Sequence, residues 1–360
     1  MLEEYSFYKP IKIHLIGVGG AGCNTLHRLA LNGLSGVYFI AMNTDKQHLD
    51  MIRAHKKVLL GKNVTHEKGA GGDPEVGRLA AEESIDEIEQ AVSDADIVFI
   101  SAGLGGGTGT GGAPLIAEVA REKGATVVGV VTLPFNFEGN LRKRIALKGL
   151  EKMQQACNTV MVIDNNKLRE LYPGYKLLNA FYLADEVVKN MIISITESIS
   201  KPSLVNLDYA DFKTIVEKGR LAAIGIGWAS SINRAEEATF NALNCPLLDI
   251  TYDGITGAII HVTGGEDMSL AEAAKPGEII SQLMNENALV IWGARIDNYY
   301  ASTIQVSLVL TGVTPSQNIL EISQKKNEEE KLKQLEEIDT SKKIDEEINV
   351  LIQELGVKML

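Results

Sequence analysis

The amino-acid sequence predicts an α/β protein: a doubly wound parallel sheet, a long connecting helix, a smaller α/β unit and a charged helical or disordered tail. Three observations carry that reading. Short, β-branched apolar runs alternate with stretches of helical periodicity through the first half of the chain, the pattern of a parallel sheet covered by helices on both faces. Glycine-rich stretches fall between a strand and the helix that follows it. Beyond Pro315 the composition shifts abruptly towards charge.

Strands are expected at 11–16 (IKIHLI), 37–42 (VYFIAM), 57–60, 96–102, 126–132 and 159–163, with helices at 24–32, 75–92, 113–123 and 140–156. This Rossmann-like order places ligands beyond the carboxyl ends of the strands. One helical pattern then runs over 178–200 and stops at Lys201-Pro202, because proline cannot continue it. At about 1.5 Å per residue it spans about 30 Å and reads as a connecting spine. Strands at 221–228, 257–263, 288–294 and 304–312, with helices near 232–243 and 269–284, make the second unit. The expected organisation is a nucleotide-binding domain over 1–177, the spine over 178–201, a second domain over 202–315 and a tail over 316–360.

In the tail, 18 of residues 321–360 are charged and none is proline. Leu332, Leu335, Ile338, Ile344, Ile348, Leu351, Ile352 and Leu355 leave a thin apolar stripe, which suits either a marginal surface helix or a docking segment for a partner.

Composition excludes several classes. The length of 360 residues suits two domains with real cores, and the 45% hydrophobic content excludes a mainly disordered chain. No uncharged apolar run approaches the roughly 18 residues of a membrane helix, so direct membrane insertion is not expected. MLEEYSFYKP is acidic and lacks an apolar stretch, unlike a secretory leader. Cys23, Cys157 and Cys245 are odd in number and far apart, giving neither a disulfide framework nor a zinc site, and a cytoplasmic setting is expected. A net charge of −12 argues against nucleic acid as a partner.

Glycine is the compositional anomaly. Average usage would give about 25 glycines in a chain of this length, against 34 here. Gly17, Gly19 and Gly22 satisfy G-x-G-x-x-G between a strand and a helix, with Asp45 lying 23 residues further on. That is a dinucleotide fingerprint, and at the least it offers backbone amides at a helix N-terminus to a phosphate. A second stretch, Gly105-Gly106-Gly107-Thr108-Gly109-Thr110-Gly111-Gly112, lies between the strand ending near Ala102 and the helix expected from Ala113. Its residues offer little for packing, so it reads as a nest of N–H donors around a di- or triphosphate, with the Thr108 and Thr110 hydroxyls adding bonds. Ala70-Gly71-Gly72-Asp73 precedes a helix and suits a cover over the terminal phosphate. No G-x-x-x-x-G-K-[ST] is present, so phosphate charge is expected to be met by backbone dipoles and a divalent cation, Mg²⁺. A second glycine loop after a later strand is foreign to a dehydrogenase and favours a nucleoside triphosphate.

These residues resemble a known family. GGGTGTGG at 105–112 is similar to the signature of the tubulin superfamily, and its flanking stretches resemble the prokaryotic cell-division branch, FtsZ. The supporting stretches are GVGGAGCNT (17–25), MNTD (42–45), GAGGDP (69–74), LPFNFEG (133–139), NLDYADFK (206–213), AEEA (235–238) and CPLLD (245–249), together spanning about residues 10 to 314. The resemblance implies a GTP-hydrolysing, filament-forming cytoskeletal protein with GTP/GDP and Mg²⁺ as ligands. It implies that Gly19, Gly20, Ala21 and Asn24 underlie the phosphates, that Gly105, Gly106, Gly107, Thr108, Gly109, Thr110 and Gly111 cradle them, and that Ala70, Gly71 and Gly72 face the γ-phosphate. Asn43 and Asp45 belong to the same site by this match. Glu138 and Arg142 match ribose and phosphate contacts, while Asn165, Phe181 and Asp185 match a guanine site, with Phe181 stacking. A carboxylate that accepts from N1–H and the 2-amino group selects guanine over adenine.

Asn206, Asp208 and Asp211 follow the spine at a helix start. Carboxylates in such a place commonly cap the helix. By the resemblance they instead complete the nucleotide site of the next subunit in a head-to-tail polymer, Asp208 and Asp211 polarising the attacking water. The implied partner is a second copy of the chain, at the division site, with an adaptor or membrane tether through the tail as a further partner. The sequence departs from the family in two places. Asp164 stands where proline is common, and 316–360 lacks the usual flexible linker and short apolar-basic terminal peptide. Two other readings are a GTP-binding scaffold with negligible turnover and an NAD-dependent oxidoreductase, the latter resting on Gly17, Gly19, Gly22 and Asp45.

Overall fold

A computed structural model describes residues 11–31, 34, 36–167, 209–244, 250–251, 254–284 and 288–315, with positions 182, 185, 188, 189, 192 and 193 between them. Phe181, Asn206, Asp208, Cys245, most of the expected spine and the tail from 316 lie outside the described residues. The chain divides into two compact units, Met1–Thr314 and Pro315–Leu360, and the following concerns the first.

The leading half contains β1 (Ile13–Val18), α1 (Gly19–Leu31), β2 (Val37–Asn43), α2 (Lys46–Met51), β3 (Lys56–Leu59), α3 (Lys62–Thr65), α4 (Pro74–Glu83), α5 (Ile85–Val92), β4 (Ile97–Gly103), α6 (Thr108–Glu122), β5 (Thr126–Leu133), α7 (Asn140–Ala156) and β6 (Thr159–Asp164). The six strands pair in parallel in the order β3-β2-β1-β4-β5-β6. The strand order reverses between β1 and β4, which opens a crevice beyond their carboxyl ends. Strand β1 is buried at every position because both sheet faces are covered. Ile13 and Leu15 enter one apolar cluster, while Ile16 and Val18 enter the other.

Three expectations about helices are corrected. The first helix begins at Gly19 instead of Asn24, so part of the first glycine stretch is helical. The single helix expected over 75–92 is two, broken at Ser84, whose buried hydroxyl accepts from the Gly61 N–H at 3.0 Å and so ties the break to the end of β3. Helix α6 begins at Thr108 instead of Ala113, so five of the eight residues of the glycine-threonine stretch are helical. Those glycines do pack. A Cβ on Gly111 would lie 1.8 Å from the Pro74 carbonyl oxygen of α4, and one on Gly109 would lie 2.5 Å from the Gly103 oxygen. Gly77 of α4 meets the Gly107 oxygen at 2.3 Å in the same sense. Bare backbone on both sides lets α4 and α6 approach closely, and that contact repays the poor helix propensity of glycine.

The trailing half contains α8 (Tyr209–Lys218), β7 (Ala222–Ala229), α9 (Arg234–Leu243), β8 (Gly257–Gly264), α10 (Leu270–Ser281), β9 (Leu289–Ile296) and β10 (Ile304–Thr311). The four strands pair in the order β9-β8-β10-β7, with β9 parallel to β8 and β10 antiparallel to both neighbours. Ser269 caps α10 with Glu272 in a reciprocal box. Arg234 of α9, almost fully buried, bridges Glu272 and Asp267 at 2.6 and 2.5 Å, and the guanidinium pulls the Glu272 carboxyl down to about 2.

The sheets share one core. Leu15, Phe99, Val128 and Met161 of the first sheet and Ile224, Ile226, Ile259 and Val309 of the second belong to a single apolar cluster. Phe212, Ile215 and Val216 of α8 fill its centre, each at most 1% exposed. Burying side chains of this size stabilises by about 1.5–3 kcal/mol apiece.

Candidate nucleotide site

A cavity of about 380 Å³ opens at the carboxyl ends of β1, β4, β5 and β6, within the range of small-ligand pockets. Its floor is backbone. Gly19, Gly20 and Ala21 follow β1, Gly103 ends β4, and Leu104, Gly106, Gly107, Thr108 and Gly109 follow it. Two helices therefore begin at the cavity, α1 at Gly19 and α6 at Thr108, and neither has an acidic residue in its first turn. Their unsatisfied N–H groups and dipoles make the floor electropositive without a lysine. The glycines sort by surroundings. Nothing lies within 4 Å of a Cβ built on Gly20 or Gly106, which are open to the cavity, whereas Gly17, Gly22, Gly109 and Gly111 are held by close backbone contacts.

The hydroxyls behave differently from expectation. The Thr110 hydroxyl accepts from the Gly105 N–H at 2.9 Å, and Thr108 pairs with the Thr44 hydroxyl at 2.7 Å. Thr108 borders the cavity, but Gly105, Thr110 and Gly111 do not; they shape the loop that does. Ala70, Gly71 and Gly72 also lie outside the lining. Their turn abuts Gly107, where an added Cβ would be 2.7 Å from the Ala70 Cβ, whereas a Cβ added to Gly71 or Gly72 would meet nothing within 4 Å.

Asn24 lines the cavity, whereas Asn43 and Asp45 do not. Asp45 caps α2 by accepting from the His48 N–H at 3.0 Å. The Asn43 side-chain oxygen accepts from the Thr44 N–H at 2.9 Å, so its amide nitrogen faces His48 Nδ1 at 3.0 Å. That assigns His48 as the Nε2–H tautomer, donating to the Asn24 oxygen at 2.9 Å. The Asn24 amide N–H groups are then free to face the cavity. Beneath them the Cys23 thiol donates to the Gly17 carbonyl at 3.2 Å, and burial pushes it up to about 12, so no thiolate competes with an anion here.

The far wall carries charge. Glu138 accepts from the Phe135 N–H at 2.9 Å and pairs with Arg142 at 3.0 Å. Asn165 and Asp185 line the side reached by β6. Asp185 is 3% exposed and receives both forks of Arg28, through Nε and through Nη2, the latter at 3.0 Å. Sequence reasoning did not single out Arg28, His48 or Asn166. Asn166 ties the turn after β5 to the end of β6, accepting from the Asn136 N–H at 2.8 Å and donating to the Pro134 carbonyl at 3.3 Å. Asp164, at the position noted as a departure, accepts from both the Asn166 N–H and its amide at 2.8 Å, so it caps the start of the segment that carries Asn165. The Arg28–Asp185 and Asn136–Asn166 pairs join residues far apart in sequence and leave no local motif.

At the other end of the sheet, Asp211 is exposed on the first turn of α8. The structure therefore does not bring it to the cavity. The Tyr209 hydroxyl of that turn bonds Thr126 and the Asp96 carbonyl, at the amino ends of β5 and β4.

Comparison with known proteins agrees with this geometry. Residues 12–173 match the model of the Tubulin/FtsZ family GTPase domain, and residues 220–314 match that of the FtsZ family C-terminal domain. The chain belongs to the Tubulin/FtsZ family. Within it, the chain is 48% identical to cell division protein FtsZ 1 of Methanocaldococcus jannaschii over 87% of this chain and 86% of the relative. It is 47% identical to FtsZ 1 of Thermococcus kodakarensis, covering 86% of this chain and 83% of that one. A solved empty FtsZ dimer from M. jannaschii superposes with a TM-score of 0.78 at 46% identity, covering 87% of this chain and 94% of that chain. In FtsZ-family terms the crevice at the β1/β4 reversal lies in the GTPase domain, and the four-stranded sheet lies in the C-terminal domain. No helix among the described residues is long and apolar enough to cross a membrane.

Proposed function

We propose that this chain is a GTPase of cell division that assembles head to tail and hydrolyses GTP only where two subunits meet. The observation that carries the proposal is the separation of the two halves of the site. The phosphate-binding backbone lies at the carboxyl ends of β1 and β4, while Asp211 projects to solvent from α8, whose Tyr209 sits against the amino ends of β4 and β5. Strand β4 has seven residues, about 23 Å at the rise of an extended strand, so Asp211 cannot reach a phosphate bound in its own chain. A second subunit stacked end to end brings an acidic loop onto that cavity. Each such contact leaves another free, and an open polymer follows.

In this reading the N-termini of α1 and α6 hold the triphosphate, with Gly20 and Gly106 admitting close backbone approach. The turn Ala70–Gly72 covers the γ-phosphate, Glu138 and Arg142 meet the ribose and phosphates, and Asn165, Phe181 and Asp185 read guanine. Arg28 grips the Asp185 carboxylate through Nε and Nη2 and so fixes its orientation at the cavity wall. No cluster of three metal-ligating side chains occurs among the described residues. A Mg²⁺ ion entering with the nucleotide would bind chiefly through the substrate phosphates and its own waters, and would supply charge neutralisation there. Asp208 and Asp211 of the incoming subunit position and polarise the attacking water, with Asn206 holding their loop near the phosphate.

Phosphate release measured against protein concentration, with GTP and Mg²⁺, tests the proposal. The wild type is expected to show a threshold concentration, and Asp211→Ala is expected to assemble while turnover falls by about a hundredfold or more. Turnover proportional to concentration from the lowest value, or unchanged by the substitution, refutes the shared site.

A further inference from the structure

The first turn of α8 is fixed by something other than apolar packing. Phe212, Ile215 and Val216 point into the shared core and hold the helix against it, but an apolar face tolerates sliding and rotation. Tyr209 adds a directional contact. Its hydroxyl donates to the Asp96 carbonyl at 2.9 Å and lies 3.1 Å from the Thr126 hydroxyl, itself fully buried. The same Asp96 carbonyl accepts the Thr126 N–H at 2.9 Å, so the tyrosine closes a three-way junction at the amino ends of β4 and β5. On the opposite side the Thr311 hydroxyl donates to the Ile215 carbonyl at 3.2 Å, which fixes the next turn of α8 to the second sheet.

The position of that junction matters. The far ends of β4 and β5 run into two stretches that line the cavity, through Gly103, Gly106 and Gly107 from the one and Thr132, Pro134 and Glu138 from the other. Both strands are buried in the interior of the sheet and make stiff struts. Asp211 lies two residues beyond Tyr209, on the outward side of the same turn.

We infer that Tyr209 is a positioning residue for hydrolysis: its hydroxyl grips the bases of β4 and β5 and so sets where Asp211 stands relative to its own subunit's nucleotide cradle. In a head-to-tail polymer that spacing fixes where each donated carboxylate meets the neighbour's γ-phosphate. The inference rests on the shared-site reading. A carboxylate held by core packing alone wanders by fractions of an ångström, and displacement of about 1 Å at a reacting centre costs up to about a hundredfold in rate.

The test compares wild type, Tyr209→Phe, Thr126→Val, their double variant and Asp211→Ala as full chains. The first two substitutions preserve shape and remove one hydroxyl each, and thermal unfolding checks that all variants fold. For Tyr209→Phe, kcat per assembled subunit is expected to fall by roughly three- to tenfold, the range of one net hydrogen bond lost from the transition state. The affinity of unassembled protein for GTP and the threshold concentration are expected to stay within about twofold of wild type. Because both hydroxyls serve one junction, the double variant is expected to be no slower than Tyr209→Phe alone. Wild-type kcat in Tyr209→Phe, alongside an inactive Asp211→Ala, overturns the positioning role and leaves the shared site standing. A loss in the double variant equal to the product of the single losses likewise overturns the common junction. Full turnover in Asp211→Ala overturns both readings.

Discussion

The two ends of the six-stranded sheet are built on opposite principles. At the carboxyl ends the chain offers backbone: two helix N-termini and glycines whose missing Cβ leaves room for a ligand. At the amino ends it offers side chains: Tyr209 bonded to Thr126 and the Asp96 carbonyl, with Asp211 exposed beside them. Backbone donors are in place as soon as the fold forms and suit a ligand with many identical oxygens. A side chain that must meet another molecule needs a rigid mount instead, and a buried hydroxyl junction supplies one.

The largest expected effect breaks this comparison within a single loop, because its glycines do two jobs. Gly111→Ala drives a methyl group to 1.8 Å from the Pro74 oxygen, between α4 and α6. It is expected to cost about 3 kcal/mol of stability, read as a lower urea midpoint. Gly106→Ala meets nothing within 4 Å. It should leave the midpoint within about 0.5 kcal/mol while weakening GTP binding in a fluorescent-nucleotide titration. Equal destabilisation by both would show that the glycines are not divided between packing and binding.

This division explains what was legible in the sequence. The strands fell close to expectation because buried β-branched runs such as IHLI and IVFI carry their own signal. The phosphate-facing backbone was legible for the same reason: Gly19, Gly20 and Gly106 stand in local patterns at strand–helix junctions. The start of α6 at Thr108 was not, since glycine disfavours helix and only the contact with Gly77 and Pro74 of α4 makes those residues helical. Arg28 and His48 were equally hidden. Arg28 meets a carboxylate more than 150 residues away, and His48 acts through Asn24, 24 residues earlier. Pairings of that kind exist only after the chain has folded, and no spacing rule announces them.

A smaller effect sharpens the comparison on the guanine side, where side chains intrude on a site otherwise made of backbone. Asp185→Asn replaces two acceptors by one acceptor and one donor and disturbs the Arg28 fork. Affinity for GTP is expected to fall by about ten- to a hundredfold, as for loss of a charge-assisted hydrogen bond. Xanthosine triphosphate carries an oxygen at position 2, which the new amide can meet, so the preference for GTP over it should narrow. Competition titrations with both nucleotides read the ratio, and an unchanged ratio would remove Asp185 from the base edge.

The smallest effect concerns His48, which touches the cavity only through Asn24. With Asn43 donating to Nδ1, the ring presents Nε2–H to the Asn24 oxygen and turns the amide N–H groups towards the ligand. His48→Ala removes that orientation but leaves Asn24 in place. GTP affinity is therefore expected to fall only about threefold, within the net worth of one neutral hydrogen bond. Asn24→Ala should lose more, because it removes the group that faces the phosphates. The decisive measurement is the double variant: if His48 acts solely through Asn24, adding His48→Ala to Asn24→Ala costs nothing further. A second independent loss would mean that His48 reaches the nucleotide by another route, and that the backbone end of the sheet depends on side chains more than its geometry implies.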